Sequence, residues 1–179
     1  FSSVNSRSLV NLEKSLNFKN GETWKGIPIV AANMTTTGTF EIYNVLSKYK
    51  IITSFHKFYK LSDYQEYINI NNSLNPDYFM VSTGIGDSDF NNLADMLSKR
   101  ECKFICIDIA NGYIENFYNF CSKVRQAYPD KIIVAGNVIT SEAVEKLAKI
   151  GIDIVKMGIG PGSACTTRIQ SGIGMPQLS

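Results

Sequence analysis

Short runs of apolar, often β-branched residues alternate along the chain with segments whose apolar positions recur at helical spacing. The runs begin near Ile27, Ile51, Tyr78, Phe104, Ile132 and Asp153. They follow one another roughly every 21 to 28 residues, which leaves room for a strand, a loop, a helix and a second loop each time. FICIDIA, from Phe104, and KIIVAG, from Lys131, are apolar at successive positions, so both faces of each strand are predicted to be covered, as in a parallel sheet flanked by helices. In the intervening segments Phe117, Phe120, Cys121 and Val124 fall at i, i+3, i+4 and i+7, and Ala143, Val144, Leu147 and Ala148 repeat that spacing. Thr140 is placed to cap the second of these helices, Glu142 lies in its electropositive first turn, and Gly151 can end it in a left-handed conformation. The pattern predicts repeated βα units in one α/β domain spanning residues 1–179, with no inserted domain.

Six such strands suit either an open doubly wound sheet or part of an eight-stranded (β/α)8 barrel, which usually needs about 250 residues. In both architectures ligands bind at the C-terminal ends of the strands. The conspicuous polar and glycine residues fall there: Asn33, His56 and Lys57, Ser82 to Gly84, Asp108 and Asn111, Asn137, and Gly158 to Cys165. Singly, such residues also serve to cap strands and start helices. Together they predict a site.

Composition narrows the partner. With 44% hydrophobic and 19% charged residues the chain is globular in type, and a net charge of +2 from scattered basic residues argues against a nucleic-acid or membrane surface. A small-molecule substrate is expected. No run reaches the ~18 apolar residues of a membrane span, and FSSVNSRSLV lacks the segments of a secretory signal, so a cytoplasmic location is expected. A start at Phe1 and an end at Ser179 after a loop-like stretch read as a fragment. The four cysteines form no paired framework, and one histidine without a CxxC pair makes a structural zinc site improbable.

The richest stretch is GIGPGSACTTR, Gly158 to Arg168. Its glycines expose backbone N–H groups that could cradle a phosphate, although it lacks the lysine of a P-loop. Cys165 sits in this polar loop beside Ser163, Thr166, Thr167 and Arg168, whereas Cys106 and Cys121 sit in apolar elements. Backbone dipoles and a nearby arginine would favour its thiolate, the nucleophilic form.

That loop closely resembles the cysteine loop of the IMP dehydrogenase and GMP reductase family. The likeness extends through SRS at Ser6, IVAANM at Ile29, GTF at Gly38, HK at His56, IDIANGY at Ile107 and AGNVIT at Ala135. ANGY and GTF, together with the absence of inserted regulatory domains, resemble the GMP reductase branch. The resemblance implies a (β/α)8 TIM barrel of which this chain carries about the first six strands. It implies NADPH-dependent reductive deamination of GMP to IMP through a covalent thioimidate on Cys165, in a homotetramer. Carried over by position, Thr167 would share a proton relay with a glutamate outside this chain, and Ser163 would hold the nucleotide phosphate. Lys57, Asp108, Ile109, Ala110, Ile159 and Gly160 would line the NADPH, with Ser6 and Arg7 contributed across a subunit boundary. Gly160, Gly162, Cys165 and Arg168 would surround a monovalent cation such as K+.

One departure stands out: the family usually has an Asp after ANM, where this chain has Thr35, followed by Thr36 and Thr37. Other readings of the residues are a Schiff-base aldolase using Lys156, a purine-nucleotide binder without turnover, and an NAD-dependent IMP dehydrogenase. Without the resemblance, Lys57 reads as a solvated loop charge, Asp108 as a helix-capping carboxylate, and Lys156 as the partner of a neighbouring carboxylate.

Overall fold

An exposed 3-10 turn, Arg7–Leu9, leads into an antiparallel hairpin of β1 (Lys14–Asn17) and β2 (Thr23–Gly26), which the apolar pattern does not predict. The computed structural model describes residues 5–71 and 73–178. Residues 1–4, 72 and 179, among them Phe1 and Ser179 at the ends of the expected domain, lie outside the described residues.

The six expected strands are β3 (Val30–Ala31), β4 (Ile52–Ser54), β5 (Phe79–Thr83), β6 (Phe104–Asp108), β7 (Ile132–Val138) and β8 (Ile154–Met157). They form one parallel sheet in chain order, from β3 at one edge to β8 at the other. The crossovers carry α1 (Phe40–Leu46), α2 (Leu61–Asn71), α3 (Asp89–Ser98), α4 (Glu115–Ala127) and α5 (Ser141–Ile150). A short α6 (Thr167–Ser171) follows the cysteine loop. None of the described helices is long and apolar enough to cross a membrane.

Strand alternation sorts the core into two layers. Phe55, Phe79, Val81, Ile105, Ile107, Ile133 and Ala135 face the helices, where they pack on Phe117, Cys121, Val124 and Leu147. The other face carries Ile52, Met80, Phe104, Ile132 and Val134 against Trp24 of the hairpin. Along β6 that second face runs Phe104, Cys106, Asp108, so it passes from apolar at the N-terminal end to charged at the C-terminal end.

The α4 stripe is buried as predicted, whereas in α5 only Ala143 and Leu147 are buried. Ala148 is exposed, so that stripe is narrower than its spacing implies. Thr140 accepts a hydrogen bond from the Ala143 N–H and Gly151 ends α5 at φ +97°, both as expected. Between α4 and β8, Arg125 forms an ion pair with Asp153 and donates to the carbonyls of Gly151 and Lys131 at 2.9 Å each.

Candidate active site

Across β6, β7 and β8, Asp108, Gly136 and Lys156 stand side by side on the inner face. A Cβ on Gly136 would come within 2.4 Å of the Lys156 carbonyl and 2.6 Å of its Cβ, so only glycine leaves Lys156 room to reach over β7. The Lys156 ammonium pairs with Asp108 and donates to Asn33 Oδ1 at 2.9 Å. Asn33 follows the first strand of the sheet and Lys156 lies in the last, so this bond shows that the sheet is curled, its two edges brought together at the C-terminal rim.

The reading of Asp108 as a helix cap is therefore corrected. It neutralises Lys156, and the N-cap position of α4 belongs to Ile114. Lys156 is thus the partner of a neighbouring carboxylate, which is the plain reading of that residue.

Two residues beyond Lys156 the glycine loop begins. It is fastened by Asn137, whose side-chain amide donates to the Gly158 carbonyl at 2.8 Å, while the Gly158 N–H donates to the Val138 carbonyl at 2.9 Å. Asn137 is thus a positioning residue that its place at the rim alone does not reveal. In the loop the Cys165 thiol lies 3.3 Å from Thr167 Oγ1 and is half-buried. Hydrogen bonds from the Thr167 hydroxyl and N–H, and then the Arg168 charge, hold the Cys165 pKa below the ordinary thiol value. Thr167 thus contributes more than the nearby arginine. Burial pushes the other thiols the opposite way, Cys102 up to about 11, Cys121 up to about 12, and Cys106 upward. Only Cys165 is poised as a nucleophile.

The remaining expected residues divide. Ser163 and Ala110 are exposed, and Gly160 is buried in the loop. Ile159 is buried, with its carbonyl taken by the Met175 N–H, and Ile109 exchanges backbone hydrogen bonds with Gly136 and Asn137. Ser6 and Arg7 lie in the exposed N-terminal turn, whose hydrogen bonds are local. Lys57 lines a cleft of about 490 Å³ with Phe58, Tyr59, Ser82 and Thr83, whose walls include no residue of Gly158–Arg168. Among the described residues Lys57 has no ion pair. The same cleft carries the carboxylates of Asp89 and Asp95, so its charge is mixed, while Phe58 and Tyr59 give it aromatic walls.

A monovalent cation fits less well. The Gly162 carbonyl accepts the Cys165 N–H at 3.1 Å and the Arg168 guanidinium at 3.2 Å, and the Arg168 carbonyl accepts the Gly172 N–H at 3.1 Å. Both lone pairs of Gly162 are occupied, and a guanidinium beside them repels a second cation. Arg168 therefore competes with an ion for the Gly162 carbonyl.

Comparison with known proteins bears on this geometry. The family model described as "IMP dehydrogenase / GMP reductase domain" matches residues 6–179. Relatives named GMP reductase, from Citrobacter koseri (48% identical over 180 residues) and Yersinia pestis (49%), are each covered over 52% of their length by 99% of this chain. The chain thus spans about half the length of these curated relatives. Among solved structures, an inosine 5'-monophosphate dehydrogenase from Legionella pneumophila superposes with a TM-score of 0.79 at 26% identity, over 99% of this chain and 53% of that one. The curled parallel sheet is accordingly part of a (β/α) barrel, and the chain belongs to the IMP dehydrogenase and GMP reductase family.

Proposed function

We propose that the chain supplies the nucleophile of a GMP reductase, an NADPH-dependent oxidoreductase acting on GMP in the cytoplasm as a homotetramer. The observation that carries this reading is the Cys165 thiol, lowered in pKa and 3.3 Å from Thr167 Oγ1, on a glycine loop at the mouth of the curled sheet. The names of the half-matched relatives support the choice of reaction.

In the proposed reaction the Cys165 thiolate attacks C2 of the guanine ring, an S–C bond forms, and the C2–N bond breaks to release ammonia. Thr167 helps carry the proton that the departing amine requires. Reduced nicotinamide, when bound beside Lys57 and the Asp108–Ala110 segment, supplies hydride to the same carbon. The S–C bond then breaks, returning Cys165 and leaving IMP. Overall, GMP, NADPH and two protons give IMP, NADP+ and ammonium. Ser163 and the loop N–H groups would hold the nucleotide phosphate. Thr35, exposed after β3, stands where a carboxylate is usual, so any contact to a ribose there is made by a neutral hydroxyl.

The test uses protein expressed from its complete reading frame. Loss of NADPH absorbance that depends on GMP and disappears in Cys165→Ala is the expected result. A folded protein that oxidises no NADPH with GMP would refute the reductase; binding of GMP without turnover would then favour a nucleotide-binding role.

A further inference from the structure

The feature left unused by the proposed chemistry is Lys156, held between Asp108 and Asn33. Lys156 and Asp108 are each about a quarter exposed, 27% and 28%, so they form neither a sealed core pair nor a freely solvated one. They stand at the charged end of the inner face, and Lys156 lies two residues before the glycine loop. On the inner face itself the glycine-rich loop that follows Lys156 offers backbone N–H groups that suit an anion, and Asp108 is the carboxylate that opposes one. A bare carboxylate at this rim would repel phosphate-bearing ligands, and low-dielectric walls would strengthen that repulsion.

From this geometry we infer that Lys156 is a positioning residue, the counter-ion that cancels Asp108 and so makes the mouth acceptable to anionic nucleotides. Its second bond, to Asn33, fixes the ammonium in place and ties the loop after β3 to the end of β8. Gly136 is the structural corollary, because any larger residue between the two charged strands would obstruct the crossing. The inference rests on the reading above only in taking the ligands of this mouth to be GMP and NADPH.

The test is equilibrium binding of GMP and of NADPH to the full-length protein, followed by fluorescence over a range of salt concentrations. Lys156→Met leaves Asp108 uncompensated and is expected to weaken both affinities on the order of tenfold, most at low salt. Lys156→Arg keeps the charge and should retain most of the affinity. The deciding variant is Lys156→Met combined with Asp108→Asn, read on GMP alone because Asp108 belongs to the proposed NADPH segment: with both charges gone, GMP affinity should recover towards that of wild type, although the strap to Asn33 stays broken. A purely structural lysine predicts the reverse, a fallen thermal midpoint and no recovery. Unaltered binding in Lys156→Met, no recovery in the double variant, or no nucleotide binding by wild type would each overturn the inference. Should Lys156→Met fail to fold, Asp108→Asn alone decides, since an unopposed Lys156 should tighten GMP binding, and unchanged or weaker GMP affinity overturns the role. The two readings fail separately: wild type that binds both nucleotides without oxidising NADPH removes the reductase and keeps the counter-ion, whereas turnover with indifferent Lys156 variants does the opposite.

Discussion

Cys165 differs from the other three cysteines in its immediate partners. Burial disfavours charge on Cys102, Cys106 and Cys121, whereas hydrogen bonding with the Thr167 hydroxyl and backbone favours the thiolate of Cys165. Because those bonds favour the thiolate, Thr167→Val should move the pH midpoint of Cys165 alkylation upward, towards that of an ordinary thiol. The backbone N–H bond survives the substitution, so the shift should be partial. At neutral pH the thiolate fraction falls, and with the proton relay also gone, turnover should drop on the order of 10²-fold. Iodoacetamide rates measured across pH check this, and an unmoved midpoint would assign the lowered pKa to Arg168 instead. The make-up of this loop is legible in the sequence because it is local: thiol, hydroxyl and arginine lie within four positions. Which neighbour dominates is not, since it depends on the turn that brings Thr167 back onto the thiol.

At the scale of elements, β4 to β8 announce themselves because a strand covered on both faces reads as one unbroken apolar run. The hairpin does not. KSLN and TWKG are mostly exposed, and only Trp24 and Gly26 are buried, so their pairing is recorded in no local periodicity and depends on where one indole ring can go. Arg125 shows a similar long reach, fastening α4 to the start of β8 through Asp153, whose side chain is 7% exposed. Arg125→Met should cost about 3 kcal/mol, because it strands a buried carboxylate that keeps only the Ile133 N–H at 2.8 Å. A denaturant midpoint reports it, and a near-wild-type midpoint would mean that Asp153 finds water on losing its cation.

For the whole molecule the governing fact is curvature, and periodicity alone could not choose between an open sheet and a closing one. The Lys156–Asn33 bond joins residues from the two ends of the sheet, yet β3 and β8 remain unpaired with each other, and Ile29, Val30 and Met157 near these edges are largely exposed. Residues 1–179 produced alone should therefore associate as concentration rises, and Val30→Lys should suppress the association. Light scattering would show it; a monomer at every concentration would mean that the edges protect themselves. The hairpin closes the opposite end, and it carries the only tryptophan of the chain, buried against Ile52, Phe104 and Ile132 with its indole N–H donating to the Asp77 carbonyl at 2.8 Å. That placement makes Trp24 an optical gauge of one event, since its emission follows the seating of the plug at the floor of the curled sheet, remote from whatever happens at the C-terminal rim.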